Sequence, residues 1–291
     1  MDAADPLLSD VRELLEIYGG VIFTGPPGTS KSWYASKIGW SVADQDEERI
    51  TFLQFHPSYQ YEDFMQGIVP REDGSGFELV DRPFLRMCRV AERNPGQSYV
   101  MVIDELSRAD PGRVFGEALT YVERSKRGLP FHLAMGEQVV RVPDNLVILA
   151  TMNPLDRGVD EVDAAFERRF AKIAMDPDAK QLEQFLVNNE VSEPLQKRIL
   201  AFFGKTNARA RLNPLGAVGH TFFMEVHDEA SLEQLWEHQL RFLFAKAYRL
   251  NPEGLAEVKA DWDRIFREAP LSGDGSPADV EADGSNVDSD S

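Results

Sequence analysis

Apolar residues along this chain follow two regimes. Up to about residue 176, short continuous apolar runs alternate with stretches of helical spacing. The runs predict strands at Gly20–Thr24, Ile50–Phe55, Tyr99–Ile103, Leu146–Thr151 and Phe170–Ala174. Runs of this kind, without strict alternation, suit strands buried on both faces. Their alternation with helical segments predicts a parallel sheet covered by helices. Two glycine-containing segments read as inserted hairpins: Ile68–Leu85 around Asp73-Gly74-Ser75-Gly76, and Leu129–Val142 around Met135-Gly136-Glu137. After Pro177 the spacing turns helical, in Gln181–Val187, Leu195–Phe203 and Leu232–Tyr248. In the last of these Leu232, Leu235, Trp236, Leu240, Leu243 and Ala247 form one stripe, which reads as core packing. The expected fold is α/β. A five-stranded parallel sheet flanked by helices occupies residues 1–176, a small helical lid 177–269 and a tail 270–291.

Composition narrows the class. With 291 residues, 43% of them hydrophobic, the chain can bury one sizeable domain and a smaller one. No stretch approaches the ~18 apolar residues that span a bilayer. The N-terminus, Met1-Asp2-Ala3-Ala4-Asp5, is acidic, unlike the basic start of a secretory signal. One cysteine, Cys88, excludes an intrachain disulfide and a cysteine-based zinc site. A cytoplasmic protein without membrane attachment is expected. The net charge is −18. Part of it is the tail, where Asp274, Asp279, Glu281, Asp283, Asp288 and Asp290 stand among Ser and Gly with no basic residue. That tail is expected to be disordered. The remaining chain is still acidic, which argues against a dedicated DNA-binding domain but leaves room for a local basic patch.

Chemistry concentrates at four places. Gly25-Pro26-Pro27-Gly28-Thr29-Ser30-Lys31-Ser32 follows the apolar Val21-Ile22-Phe23 and precedes a helical run with Tyr34, Ile38 and Val42 on one face. The spacing is that of a P-loop. Backbone N–H groups at a helix N-terminus cradle phosphates, the lysine reaches the β- and γ-phosphates, and the Ser32 hydroxyl ligates Mg²⁺. Ser30 stands where the usual pattern has its second glycine; room for the backbone is expected to matter more there than the absence of a Cβ. The apolar strand Tyr99–Ile103 ends in Asp104-Glu105. A parallel strand brings these acids to the P-loop edge, Asp104 toward Mg²⁺ and Glu105 toward the attacking water. Leu146–Thr151 leads through Met152 to Asn153, which either orients that water or simply forms a turn. Arg168-Arg169 reads equally well as an arginine pair offered to a neighbouring subunit's γ-phosphate or as a basic helix end. Arg108 and Arg113 are weaker candidates of the same kind. His220 reads as structural, and the other four histidines show no metal-ligand spacing.

Several separated segments resemble the AAA+ motor module of the McrB branch, named for the NTP-driven subunit of a modified-DNA restriction system. The resemblance runs from Val21 to Trp262. Its most specific segment is Phe52-Leu53-Gln54-Phe55-His56-Pro57-Ser58-Tyr59-Gln60-Tyr61-Glu62-Asp63-Phe64, continuing through Gly67 to Pro70. Further likeness lies in Ile103–Arg108, Val114–Glu117, Met152–Arg157, Arg168–Phe170 and Val218–Met224. The resemblance implies Gly25–Ser32 as Walker A, Asp104-Glu105 as Walker B, Asn153 as sensor 1 and Arg168/Arg169 as the arginine-finger region. It also implies a hexameric ring with nucleotide at subunit junctions, and hairpins facing the pore or a partner. Two departures bear on function. The McrB signature Met-Asn-Thr-Ala-Asp-Arg-Ser reads Met152-Asn153-Pro154-Leu155-Asp156-Arg157-Gly158 here, so GTP does not follow and ATP is the expected substrate. The family's restriction subunit carries an N-terminal DNA-reading domain, whereas about twenty residues precede the P-loop here, so if the chain serves restriction, another chain is expected to read and cut DNA.

The function expected from sequence is a Mg²⁺-dependent ATPase working as a ring motor on a partner protein or DNA. The alternatives are a McrB-like GTPase feeding a nuclease, a MoxR-type chaperone for a client enzyme, and a nucleotide-gated scaffold that scarcely hydrolyses.

Overall fold

The computed structural model describes residues 5–135, 138–155 and 164–267. Within it nine strands follow in chain order: β1 (Val21–Thr24), β2 (Ile50–Gln54), β3 (Gln66–Pro70), β4 (Phe77–Asp81), β5 (Tyr99–Asp104), β6 (Phe131–His132), β7 (Val139–Val140), β8 (Leu146–Met152) and β9 (Ala171–Ala174). Five form one parallel sheet in the order β2-β5-β8-β1-β9. These are the five strands the apolar runs predict, each end within one residue.

Side chains alternate across each strand, so a continuous apolar run requires cover on both faces. Both faces are covered. Ile22, Met101, Ile103, Ile148 and Ala150 join one cluster, closed by Phe84, Leu85 and Cys88 of the helix Pro83–Arg93 together with Phe115. Val21, Phe23, Val100, Val102 and Leu149 join the other, closed by Leu8 and Val11 of the helix Pro6–Ile17 and by Ala35 and Ile38 of the helix Lys31–Val42. Within the last helix, Ala35, Ile38 and Gly39 are the buried positions, while Tyr34 and Val42 flank them half-buried. The expected face is thus rotated by about one residue, because small side chains let the helix lie close to the sheet.

The two hairpins exist. β3 pairs antiparallel with β4, and β6 with β7. The first is shorter than the sequence suggests, because Pro83 at the first turn starts a helix that takes in Leu85. Gly136 and Glu137 of the second turn lie outside the described residues.

The C-terminal region is helical and has its own core, including Leu182, Leu186, Ile199, Phe202, Val218, Leu232, Trp236, Phe244 and Trp262. The expected stripe begins as predicted: Leu232, Leu235, Trp236 and Leu240 are buried. A π-helical turn at Trp236–Leu240 then adds a residue to the winding. Beyond it the fully buried positions are Phe244 and Tyr248, and the expected Leu243 and Ala247 pack half-buried beside them. Among the described residues no helix is long and apolar enough to cross a membrane. The acidic tail lies outside the described residues.

One buried cation ties the sheet together. Arg127 is 8% exposed and donates to the carbonyls of Val122, Pro143, Leu146 and Gly19. A buried charge is costly unless it is well bonded. Here four carbonyls offset that cost, and they join the entry to β1 with the start of β8. Burial pushes the guanidinium down to about 10, so it remains charged at neutral pH. Arg127→Met leaves buried carbonyls without donors. It is expected to lower the unfolding free energy by roughly 2–4 kcal/mol, read from urea denaturation with an unchanged slope.

Candidate functional site

A parallel sheet delivers the C-terminal ends of its strands to one edge. Here β8 lies between β5 and β1, so the ends carrying Asp104, Thr151 and Thr24 are neighbours. The loop after β1 closes on itself before its helix starts at Lys31. The Thr29 hydroxyl donates to the Pro26 carbonyl at 3.0 Å, and the Lys31 ammonium reaches the same oxygen at 2.7 Å. Gly28 has φ 77 and Ser30 φ 62. Both left-handed residues stand just ahead of a 12-residue helix, whose dipole favours an anion at that end.

Ser30 corrects one expectation. What the position requires is a left-handed backbone as well as room, and such a conformation costs a non-glycine residue about 1–2 kcal/mol. Its hydroxyl makes no cap bond to the helix it precedes. It bonds instead to His220 Nε2 at 2.8 Å.

Asp104 is the meeting point of the edge. Its Oδ1 accepts from the Ser32 hydroxyl at 2.7 Å and from the Thr151 hydroxyl. Thr151, 2% exposed, also accepts the Glu105 N–H at 3.2 Å. Glu105 is itself left-handed, φ 55, with its carboxylate 3.5 Å from Arg108 Nε. A hydroxyl and a carboxylate at hydrogen-bond distance are hard oxygen donors of the kind a small divalent cation takes. Among the described residues no group of three or more His, Cys, Asp or Glu could hold a metal. A cation between Ser32 and Asp104 must therefore complete its shell with ligand or water oxygens.

Ser32, Glu105, Arg108 and Thr151 line a cavity of about 440 Å³, while Asp104 lies with Ser32 on a smaller cavity beside it. Pro27, Gly28, Thr29, Ser30, Lys31, Ser32, Glu105 and Asn153, all expected from sequence, form the wall of the larger cavity, with Trp33, Arg108, Thr151 and Thr221 added by the fold. Gly25 and Pro26 sit behind the loop, on a second cavity. Asn153 Oδ1 accepts the Leu155 N–H at 3.1 Å, so the residue forms a turn and also faces the cavity. Asp156, Arg157 and Gly158 lie outside the described residues.

The two finger candidates separate. Arg168 is exposed, while Arg169 is 7% exposed, donates to the Ala165 carbonyl and lies 3.9 Å from Glu123. Arg169 therefore departs from the expected exposed pair: its guanidinium is turned into its own domain, and only Arg168 stays exposed. Arg113 is exposed and outside the cavity, and Arg108 lines the cavity of its own chain.

Thr151 carries no motif of its own, and His220 and Thr221 lie in the Val218–Met224 segment, to which the sequence assigned no site role. Thr151 follows from the register, since it pairs with Phe23 on β1 and follows Ala150, the partner of Ile103 on β5. His220 and Thr221 come from the helical region and press against the loop. The Thr221 N–H donates to the Gly28 carbonyl at 3.0 Å. A Cβ on Gly219 would fall 2.0 Å from that carbonyl oxygen, which explains a glycine there. Burial holds the His220 imidazole below its ordinary value, so it is neutral at pH 7.

Several known proteins are similar to this chain. A family model described as an AAA domain (dynein-related subfamily) matches residues 20–170. The chain is 31% identical over 247 residues to the Type IV methyl-directed restriction enzyme EcoKMcrB subunit of Escherichia coli (strain K12), covering 80% of this chain and 53% of that one. It is 27% identical over 188 residues to the Type II restriction enzyme BsuMI component YdiS of Bacillus subtilis (strain 168), covering 52% and 55%. The chain thus spans about half the length of these relatives. A solved chain from Cytophaga hutchinsonii shares 16% identity over 90% of this chain and 89% of that one at a TM-score of 0.40, a likeness too weak to add anything. With the family match spanning the strands, the loop and the acidic strand end that build this cavity, the chain belongs to the dynein-related subfamily of AAA domains.

Proposed function

We propose that this chain is a Mg²⁺-dependent nucleoside triphosphatase, with ATP as substrate, working as one subunit of a ring. The observation that carries the reading is the convergence of Ser32 on Asp104 at 2.7 Å beside Glu105, in front of a loop that presents Lys31. Backbone N–H groups of residues 28–32 bind the phosphates, and Lys31 reaches the β- and γ-oxygens. Ser32 and Asp104 would hold Mg²⁺. Bound there, the ion neutralises charge on the β- and γ-phosphates. Glu105 polarises the attacking water and Asn153 orients it. Arg168 of a neighbouring subunit meets the charge that develops on the γ-phosphate.

Both relatives are named as components of restriction enzymes. That favours a partner with nuclease chemistry over a client enzyme, with DNA contact supplied outside the acidic core. GTP use is the McrB-like alternative. Assembly and location follow the same reading: a homo-oligomeric ring, hexameric by family analogy, in the cytoplasm.

Phosphate release measured with ATP and with GTP at high protein concentration tests the reading. Turnover with ATP is expected, falling by about 10²–10⁴-fold in Glu105→Gln while nucleotide still binds. Turnover restricted to GTP would replace the substrate assignment, and tight binding without turnover would favour the scaffold. A second experiment tests the shared site. Arg168→Ala is expected to cost about a thousandfold or more in turnover. Mixing it with Glu105→Gln should restore part of the activity, because some junctions then pair an intact Glu105 with an intact Arg168. Arg169→Ala should instead show first as a lower melting temperature.

A further inference from the structure

We propose that His220 is a positioning residue for the phosphate-binding loop: it grips the Ser30 hydroxyl, holds the left-handed turn there, and so couples nucleotide affinity to the seating of the helical lid. The proposal rests on the nucleotide reading above.

Ser30 sits at φ 62, where glycine is at ease and serine is not. A serine ahead of a helix ordinarily spends its hydroxyl on the N–H groups of the first turn. Here it makes no such bond, and its Oγ lies 2.8 Å from His220 Nε2. The imidazole is well placed to hold it. His220 is 1% exposed, and its Nδ1 accepts the Asp178 N–H at 3.2 Å. A backbone N–H can only donate, so Nδ1 is the bare nitrogen of the neutral ring and Nε2 carries the proton. The bond therefore runs from Nε2–H to Ser30 Oγ.

Asp178 is the N-cap of the lid's first helix, Ala179–Asn188, so the ring is fixed to the lid on one side and to the loop on the other. Two contacts run parallel to it. The Thr221 N–H bonds the Gly28 carbonyl at 3.0 Å, and the Gln181 amide bonds the Tyr34 hydroxyl at 3.0 Å on the helix after the loop. If the lid swings away, the imidazole leaves with it. Ser30 is then free to relax toward negative φ, which turns its N–H away from the phosphates. Coupling of this kind is reciprocal, so a bound triphosphate also favours the seated lid.

A glycine at position 30 needs no such grip, which supplies the test. Affinity for Mg·ATP and Mg·GTP is measured by titration calorimetry on the full chain in wild type, His220→Ala, Ser30→Gly and the double variant. Loss of the imidazole is expected to weaken binding about tenfold with Ser30 present, equivalent to about 1.4 kcal/mol. With Gly at position 30 the same loss should be under about twofold, since glycine takes φ > 0 unaided. An equal loss in both backgrounds overturns the proposal, because it assigns His220 to lid packing alone. Should His220→Ala fail to fold, His220→Gln and His220→Asn carry the comparison. Gln keeps a donor near the Nε2 position and Asn an acceptor near Nδ1. Tighter binding by the Gln variant is expected, and the reverse order overturns the proposal. Wild type that binds neither nucleotide would overturn the nucleotide reading itself, and the coupling with it, an outcome distinct from the others.

Discussion

One carboxylate oxygen organises the working edge of this protein. Asp104 Oδ1 accepts from Ser32, on the helix that follows β1, and from Thr151, on β8. Through it the ends of three adjacent strands are held level. The arrangement depends on the sheet being buried on both faces. Strands such as β5 and β8 bury nearly every residue, so polar groups can only gather where the strands end. Thr151 then serves two neighbours at once, accepting from the Glu105 N–H while donating to Asp104.

Two of the five described non-glycine residues with positive φ stand at this edge. Ser30 and Glu105 both hold positive φ without being glycine. Such residues persist where the surroundings over-determine them, and they cluster at functional sites. Around Ser30 the surroundings belong to the C-terminal helical region: His220 on its hydroxyl, and Thr221 on the carbonyl two residues earlier. Around Glu105 they are Thr151 on its N–H and Arg108 beside its carboxylate. The loop and the acidic strand end are thus each braced by an element distant in sequence.

The arginine pair shows how neighbours in sequence can part in function. Arg169 turns inward to the Ala165 carbonyl and Glu123, while Arg168 stays exposed. Consecutive residues at a helix end point to different sides, so one can pack while the other faces outward. Arg168 is thus the exposed member of the pair, and packing within its own domain accounts for Arg169.

Much of this molecule was legible in the sequence because its signals are local. Five apolar runs predicted five parallel strands, since burial on both faces needs an unbroken apolar run, and the P-loop spacing and the strand ending in Asp104-Glu105 marked residues that the sheet brings to one edge. The stripe in the helical region was legible up to Leu240 and slipped by one residue after the π-helical turn, which no spacing rule announces. Tertiary structure alone decided the rest. Arg127 reaches Gly19 across 108 residues, Glu105 meets Thr151 across 46, and Ser30 meets His220 across 190. Periodicity and motif spacing report which face of an element is buried and what a short loop can bind. They carry no record of which side chain a distant element brings to that loop, because that partner is set by how the sheet orders its strands and how the lid folds back over them.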